Sequence, residues 1–306
     1  MVKIAVVGDQ HITGKTPRCR KDSYPDAILS KIEQILISND IFIGLGDLFD
    51  SASIEEQTLN KFMSLLIKYK KQGKRFFTIL GNHDLFKHNT NLLEKTSLGL
   101  CMLDGLVERL AIFEFGNVLF QEIPFVKKNP ELPNLYSDYI NVLLGHYFYE
   151  NNFCPEFSLT REQLDSIQVA GTFVILGHDH APYGVQTINN CLLVRLGSLC
   201  RNTANDYNFN RVPKYTQFTF DSNKLLESVN YVELDSIELD VFLPQVTPQQ
   251  KQEVNVEYDM TSFFDKFGYK SSEEVTLTSC LQEVGTREVV VDVIKEVYTS
   301  LNMNFK

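Results

Sequence analysis

Short runs of β-branched and aromatic residues recur along the first part of the chain, and they predict buried strands. Five of these runs, each followed directly by a glycine, span residues 3–7, 41–45, 76–80, 141–144 and 173–176. Apolar residues at helical spacing over residues 26–37 and 54–69 predict helices between the first three strands. Strands that alternate with helices are typical of βαβ units, so we expect a largely parallel central sheet.

The later part of the chain has a different pattern, in which strand-like runs flank short turns. Residues 111–115 and 118–122 flank Gly116-Asn117, and residues 185–188 and 192–196 flank Asn189-Asn190, so both pairs predict hairpins. Two further antiparallel strands are predicted at residues 215–220 and 228–234. The pattern therefore indicates the α/β class, with one mixed sheet or two packed mixed sheets and helices outside.

The C-terminal fifth of the chain differs in composition. Residues 241–252 contain prolines and glutamines with few apolar residues, which is typical of a linker. We therefore predict a main domain over residues 1–240 and a small acidic segment over residues 253–306. Within that segment an apolar stripe at helical spacing predicts a helix, formed by Val290, Ile294, Val297, Tyr298 and Leu301.

Composition excludes several classes of protein. Of the 306 residues, 43% are hydrophobic and 22% are charged, which excludes a disordered chain and a coiled-coil rod. No apolar run reaches the roughly 18 to 20 residues of a membrane span. The opening run is too short for a signal peptide, and the six cysteines lack the spacing of zinc or redox pairs. We expect reduced cysteines and a cytoplasmic protein without membrane association.

The net charge of −10, from 29 basic and 39 acidic residues, argues against a nucleic-acid partner. However, residues 231–306 carry 14 acids and 6 bases, a net of −8. Residues 1–230 therefore carry a net of only −2. The uneven distribution weakens the objection to an anionic substrate in the main domain.

Candidate metal donors follow the five strands that end at glycine. The pattern reads Gly8-Asp9-Gln10-His11, Gly46-Asp47, Gly81-Asn82-His83, Gly145-His146 and Gly177-His178-Asp179-His180. Side chains at the carboxyl ends of strands converge in α/β sheets, and glycine allows the sharp turns there. Oxygen and imidazole donors fit borderline divalent ions such as manganese, iron or zinc. The number of donors exceeds one tetrahedral site and favours two ions that share a carboxylate.

These motifs, in this order, resemble the calcineurin-like metallophosphoesterases. The resemblance covers residues 8–180 and continues weakly through Leu196-Gly197-Ser198. It implies packed mixed sheets flanked by helices. It also implies two divalent metal ions, and we expect them to be Mn²⁺. One ion would be bound by Asp9, His11 and His180, and the other by Asn82, His146 and His178, with Asp47 as the bridge.

The resemblance also implies catalytic roles outside the ligand set. His83 would act on the leaving group or the transition state without binding metal. Asp50 matches a position that in some members orients this histidine through a carboxylate hydrogen bond, and a helix or turn cap is an equal alternative. Asp84 and Asp179 are expected to support ligands or form turns, and His88 is expected to lie in a solvated loop.

The spacing of the motifs separates the subclasses of the family. Phosphoprotein phosphatases have arginine and glycine after the second motif, whereas Ser51-Ala52-Ser53 follow Asp50 here. The intervals Asp47 to Asn82 and His146 to His178 resemble nuclease subunits of the SbcD type, in a compact version like those that phages encode. We therefore predict a DNA exonuclease or endonuclease of recombination and repair, in the host cytoplasm if it is phage-encoded. A small-molecule or nucleotide phosphodiesterase is the alternative, and a non-catalytic scaffold is a third interpretation.

The SbcD-type resemblance implies partners as well as a substrate. It implies DNA, a coiled-coil ATPase of the SbcC type bound by the C-terminal helical segment, and a homodimer as a further option. Basic residues near the motifs are candidate DNA contacts, with a solvated surface as the alternative. They are Lys15, Arg18, Arg20, Lys21, Lys127, Lys128, Arg195, Arg201, Arg211 and Lys214.

Overall fold

Strict alternation along the first strand places its residues in two different hydrophobic cores. In the computed structural model, which describes residues 1–150, 156–209, 211–234 and 241–243, Ile4 and Val6 face one core and Ala5 and Val7 face another. Successive side chains on a strand point to opposite faces of its sheet. Both faces of this sheet are therefore covered.

The described residues form fourteen strands and five α-helices. The strands are β1 (Val2–Val7), β2 (Ile41–Gly44), β3 (Arg75–Thr78), β4 (Glu108–Arg109), β5 (Ile112–Phe115), β6 (Val118–Glu122), β7 (Ile140–His146), β8 (Phe148–Tyr149), β9 (Ser158–Leu159), β10 (Thr172–Gly177), β11 (Gly184–Ile188), β12 (Cys191–Arg195), β13 (Lys214–Phe220) and β14 (Leu226–Glu233). The helices are α1 (Tyr24–Ser38), α2 (Glu56–Lys70), α3 (Ser97–Leu103), α4 (Arg161–Asp165) and α5 (Asp206–Phe209).

Two six-stranded mixed sheets form the framework. The first has the order β14-β13-β1-β2-β3-β4, and the second has the order β11-β12-β10-β7-β6-β5. In the first sheet β1, β2 and β3 are parallel, while β13 is antiparallel to β1. In the second, β7 and β10 are parallel neighbours. The strands β8 and β9 pair separately.

The core between the two sheets contains Phe77 from β3, Phe120 from β6 and Phe218 from β13. The other face of the first sheet packs against helices, where Ile28, Ile32 and Ile35 form the buried stripe of α1. A third core covers the outer face of the second sheet. The α/β architecture with two packed mixed sheets and flanking helices is thus confirmed.

The long predicted elements are present with small shifts at their ends. The pattern did not predict α3, α4, α5, β4, β8 and β9, because segments this short contain too few residues to show a periodicity. None of the described helices is long and apolar enough to cross a membrane.

The predicted linker begins inside the described part of the chain. Val241 and Phe242 are buried, and the ring of Phe242 stacks on Phe209 with centroids 4.6 Å apart. The main-chain N–H of Leu243 donates to the Cys19 carbonyl at 2.9 Å. The first residues of the predicted linker therefore pack on the main domain. The rest of the linker and the predicted C-terminal segment lie outside the described residues.

Candidate metal centre

All seven predicted metal donors lie at one end of the two sheets. They follow the parallel strands β1, β2 and β3 of the first sheet and β7 and β10 of the second. His146 is the last residue of β7 and pairs in register with Gly177, which ends β10. The strand pairing therefore fixes donors from both sheets along a single edge.

The main chain is in the left-handed region at three of these donors. His11 has φ 46°, Asp47 has φ 47° and His178 has φ 78°. Such conformations cost on the order of 1–3 kcal/mol for residues other than glycine. The surrounding contacts must therefore impose them, which fixes the direction of each side chain before a ligand arrives.

The glycines that precede the donors have two different roles. Gly46 has φ 84°, as a sharp turn requires. Gly8 and Gly81 instead allow close approach, since a Cβ on Gly8 would lie 2.4 Å from the Gly197 carbonyl oxygen. A Cβ on Gly81 would lie 2.2 Å from the main-chain nitrogen of Asp47. The sequence prediction of turn glycines therefore holds for Gly46, and packing explains the other two.

One group of donors joins His11 and His180. Their Nε2 atoms are 3.0 Å apart, and Asp47 Oδ2 lies 3.6 Å from the Nε2 of His11. The N–H groups of Gln10 and His11 both donate to the Asp47 carbonyl, at 3.1 and 2.9 Å. The first and second motifs are thus tied together by main-chain bonds as well as by the donors.

A second group surrounds His146. Its Nδ1 lies 2.8 Å from the Leu45 carbonyl, which can only accept, so Nδ1 carries the proton. In the neutral ring Nε2 is then an acceptor, 3.0 Å from Asn82 Oδ1 and 3.3 Å from Asp47 Oδ2. Ligand atoms of Asp47, His146 and His178 also lie within 4.8 Å of one another. His146 Nε2, Asn82 Oδ1 and Asp47 Oδ2 are acceptors that face one another, and their lone pairs repel unless a cation lies between them. These residues therefore fit a metal ion.

Asp9 contacts two members of the second group. Its carboxylate accepts from the main-chain N–H of His178 at 2.9 and 3.1 Å, and its Oδ1 lies 3.5 Å from the Nδ1 of His146. The side chain is fully buried. These contacts join Asp9 to His146 and His178, whereas the resemblance assigns it to the ion of His11 and His180.

The imidazole groups of the centre have opposite pKa shifts. Burial acts to lower the pKa of His11, but nearby negative groups outweigh it and raise the pKa to about 10. Burial is likewise outweighed at His146, where Asp47 raises the pKa to about 9. Burial and neighbouring imidazoles lower the pKa of His178 to about 2 and that of His180 to about 4. When no metal is bound, the protonated rings of His11 and His146 therefore supply the positive charge that offsets the buried carboxylates.

His83 is the exposed member of the site. Its main-chain N–H donates to Asp47 Oδ1 at 2.8 Å, and its ring Nδ1 lies 2.7 Å from the main-chain carbonyl of Asp50. The carboxylate of Asp50 faces His11 instead, with Oδ1 3.3 Å from Nδ1 of that ring. The structure thus corrects the sequence prediction of a carboxylate bond from Asp50 to His83. Asp50 contacts His83 through its carbonyl, because the turn after the second motif directs the side chain toward His11.

Asp84 is a buried residue that links two of the motifs through its carboxylate. Its carboxylate accepts from the N–H groups of Phe49 and Gly81 at 3.1 and 3.2 Å, which joins the second and third motifs. Burial and the nearby Asp47 raise its pKa to about 7. Asp179 Oδ1 accepts from the N–H of Ala181 at 3.2 Å, as a turn-forming aspartate does. His88 is exposed.

Cys200 is a residue of the centre that the sequence analysis missed. It is fully buried, and ligand atoms of His11, His180 and Cys200 lie within 4.8 Å of one another. The N–H groups of Leu199 and Cys200 both bond to the Asp9 carbonyl, which holds this segment against the first motif. The weak signal at residues 196–198 was the only indication that this turn returns to the metal donors.

Several basic residues predicted to contact DNA instead hold the fold together. Arg20 bonds Asp22 and the Arg201 carbonyl, and Arg201 bonds the carbonyls of Asn208 and Phe209. Arg211 bonds Ser198 and the Cys200 carbonyl. Guanidinium groups that satisfy buried carbonyls are not available to phosphates. The exposed members of the set are Lys15, Arg18, Lys21, Lys127 and Lys128.

The sequence matches the family model described as calcineurin-like phosphoesterase over residues 2–182, which is more than half of the chain. The chain belongs to the calcineurin-like phosphoesterase family. Membership implies a metal-dependent hydrolase of phosphate esters with a two-metal site, which agrees with the two donor groups around Asp47. No curated protein sequence matches this phosphoesterase.

Among solved structures, the phosphoesterase is similar to a 5′-nucleotidase precursor from Thermus thermophilus, with 14% identity and a TM-score of 0.39. That match covers 81% of this chain and 56% of the nucleotidase chain, so this chain spans little more than half of that structure. It is also similar to a dimetal phosphatase from Danio rerio, with 11% identity and a TM-score of 0.44. That match covers 71% of this chain and 92% of the phosphatase.

Proposed function

We propose that this phosphoesterase is a two-metal phosphodiesterase that cleaves DNA, as the SbcD-type nuclease subunit of a recombination or repair complex. The observation that carries the proposal is the convergence of candidate metal donors on the buried Asp47, with the exposed His83 beside it. A phosphodiester can reach an exposed imidazole directly from solvent. The spacing of the motifs, which resembles that of the SbcD type, supports DNA as the substrate.

The charges near the centre support an extended anionic substrate. The exposed Lys127 and Lys128 follow Phe125, whose ring lies 6.1 Å from the ring of His146. The exposed Lys15 follows His11 by four residues. Exposed lysines that follow donor-bearing segments in the sequence can contact the phosphates that flank a scissile bond, and such contacts supply non-specific affinity for DNA. Lys15 and Lys127 also lie 3.9 and 3.8 Å from the carboxylates of Glu55 and Glu156, so a phosphate would compete with these surface ion pairs.

The residues divide the chemistry between binding and proton transfer. When bound, two divalent ions activate a water molecule and neutralise the phosphate charge. Among the candidate ions we propose Mn²⁺, because the imidazole and carboxylate donors suit it. The Nδ1 of His83 donates its proton to the Asp50 carbonyl, so the opposite Nε2 is oriented to give a second proton to the leaving oxygen when the ring is the imidazolium cation, which leaves neutral His83.

A smaller substrate is the second candidate. The arginines that follow the last motif point inward, and they therefore leave less positive surface for a duplex than the sequence predicts. A nucleotide phosphodiester would need only the metals and His83, together with one binding subsite for the nucleoside.

Metal analysis and substrate comparison test both candidates. We expect close to two equivalents of manganese per chain after loading, with cleavage of labelled single-stranded or double-stranded DNA. A single tightly bound zinc would contradict the two-metal assignment. Rapid hydrolysis of a small nucleotide phosphodiester without DNA cleavage would favour the second candidate.

We also propose that the C-terminal segment binds an SbcC-type ATPase. Truncation after Leu243 retains Phe242, which packs on Phe209. We expect metal content and basal manganese-dependent cleavage to persist, while ATPase binding and ATP-stimulated cleavage are lost. In the full chain, Val297→Asp on the apolar stripe should reproduce the loss, and Thr299→Asp should not. A truncated protein that still co-purifies with the ATPase would overturn this proposal.

A further inference from the structure

A groove of about 620 Å³ lies between edge strands of the two sheets, and its lining includes Pro182 and Tyr183, which follow the predicted metal donor His180 by two and three residues. Its lining includes Tyr183 and Val185 near the edge strand β11, and Tyr231 and Glu233 of the edge strand β14. Tyr183 and Tyr231 are 46% and 38% exposed. Two accessible aromatic rings in one groove are a surface that a planar ligand can contact.

The groove is connected rigidly to the metal donors. Tyr183 follows His180 by three residues, and its N–H donates to the Arg195 carbonyl at 3.0 Å. The His180 carbonyl accepts from the Ser198 N–H at 3.3 Å. The segment from the metal ligand to the tyrosine is therefore held at both ends against the neighbouring chain. Three residues span at most about 10 to 11 Å, so a base bound at Tyr183 is within reach of the nucleotide whose phosphate lies at the centre.

The ring of Tyr183 is braced from the protein side. The guanidinium of Arg195 lies 4.3 Å from the centroid of this ring and 5.2 Å from that of Tyr149. Arg195 is buried and donates to Gln186 Oε1 at 3.1 Å, and this bond fixes the plane of its guanidinium between the rings of Tyr149 and Tyr183. An exposed ring supported by a fixed cation loses little conformational entropy when a ligand stacks on it.

The charges of the groove favour a nucleobase over a phosphate as the ligand. Lys214 is paired with Glu233 at 2.8 Å. Arg211 is occupied by the Ser198 carbonyl at 2.7 Å and by Asn208 Oδ1 at 2.8 Å. The cations of the groove are thus already bound within the protein, whereas Tyr183 presents exposed ring surface. A base stacks on such a ring without requiring positive charge.

We propose that Tyr183 is a stacking platform for the nucleobase next to the phosphate at the metal centre. The inference rests on the proposed function, because it names the part of the nucleic-acid or nucleotide substrate that this subsite binds. The base can belong to a single strand or to a small nucleotide phosphodiester. Tyr183 is in this sense a binding residue, separate from the metal ligands and from His83.

The test uses the full chain and a single-stranded oligonucleotide that contains 2-aminopurine, whose fluorescence falls when it stacks. Tyr183→Ala should weaken binding about 5- to 100-fold and abolish the quenching, because stacking on one aromatic ring contributes that much per base. Tyr183→Phe should retain both signals. Tyr136→Ala is the matched control, since Tyr136 is 47% exposed and its N–H bonds Asn141 at the start of β7, far along the strand from His146.

Two further probes separate the outcomes. An oligonucleotide with an abasic site should bind the wild type and Tyr183→Ala equally, and a nucleoside monophosphate methyl ester reports whether one base is sufficient. Equal affinity of wild type and Tyr183→Ala for the 2-aminopurine strand and for the ester, or absence of binding by the wild type, would overturn the subsite. Absence of quenching in the wild type, with DNA cleavage retained, refutes this inference alone. Base binding without DNA cleavage refutes the proposed nuclease function alone.

Discussion

Replacement of Asp47 by asparagine is expected to weaken both metal sites at once. The Oδ2 atom lies 3.3 Å from His146 Nε2 and 3.6 Å from His11 Nε2, so one carboxylate oxygen faces both donor groups. An amide cannot neutralise two cations. We expect metal content to fall below one equivalent and activity to fall on the order of 10³-fold or more, as expected when electrostatic stabilisation of the transition state is removed.

The Asp47→Asn substitution is compatible with the main-chain conformation at this position. Asp47 has φ 47°, and asparagine is among the residues that tolerate this region best. His11→Ala provides the comparison, since His11 belongs to one donor group and its loss should weaken chiefly one site. Metal titration followed by calorimetry distinguishes the two patterns. If both variants lose the same single equivalent, Asp47 does not bridge.

His83→Ala is expected to slow the reaction on the order of 10² to 10⁴-fold while metal content stays unchanged, as for other positioned acid groups. The ring is exposed and bonded through Nδ1 to the Asp50 carbonyl, so its removal leaves no cavity in the core. The loss should appear in kcat. It should be smaller for a p-nitrophenyl ester, whose leaving group needs no proton.

Metal content is the decisive control for His83, because ligand atoms of His11, Asp47 and His83 lie within 4.8 Å of one another. That geometry places the ring within reach of an ion as well as of a substrate. A His83→Ala protein that loses one metal equivalent would therefore make His83 a ligand and not a proton donor. His88→Ala is the matched control, since this histidine is also exposed but is absent from every donor group of the described residues.

The sequence indicates that the predicted donors lie at one edge of the sheets, because their positions are determined locally. A glycine and a polar residue at the end of an apolar strand indicate the edge of the sheet, and parallel strands bring such edges together. Asp9, Asp47 and His146 converge for this reason. Contacts that depend on long-range packing carry no such signal. Cys200 reaches the centre through a turn after β12, and the weak match at residues 196–198 is the only indication of that return in the sequence.

The basic clusters show a second limit of sequence interpretation. Arginine has the same appearance in a sequence whether it faces DNA or a buried carbonyl. Arg201 is 1% exposed and bonds main-chain oxygens, which only the packed structure reveals. Lysine is ambiguous in the same way. Lys31 is 4% exposed and donates to the Leu199 carbonyl at 3.2 Å, whereas Lys127 and Lys128 are exposed.

The donors span residues 9 to 180 and belong to strands of both sheets, so no short fragment of the chain contains a complete donor group. Metal binding therefore depends on the association of strands that are distant in sequence, which is the slow part of folding. The unfolded chain lacks the site, and each ion at 100 times its Kd adds about 2.7 kcal/mol to the folded state. Metal binding therefore raises the free energy of unfolding only for chains whose two sheets have assembled.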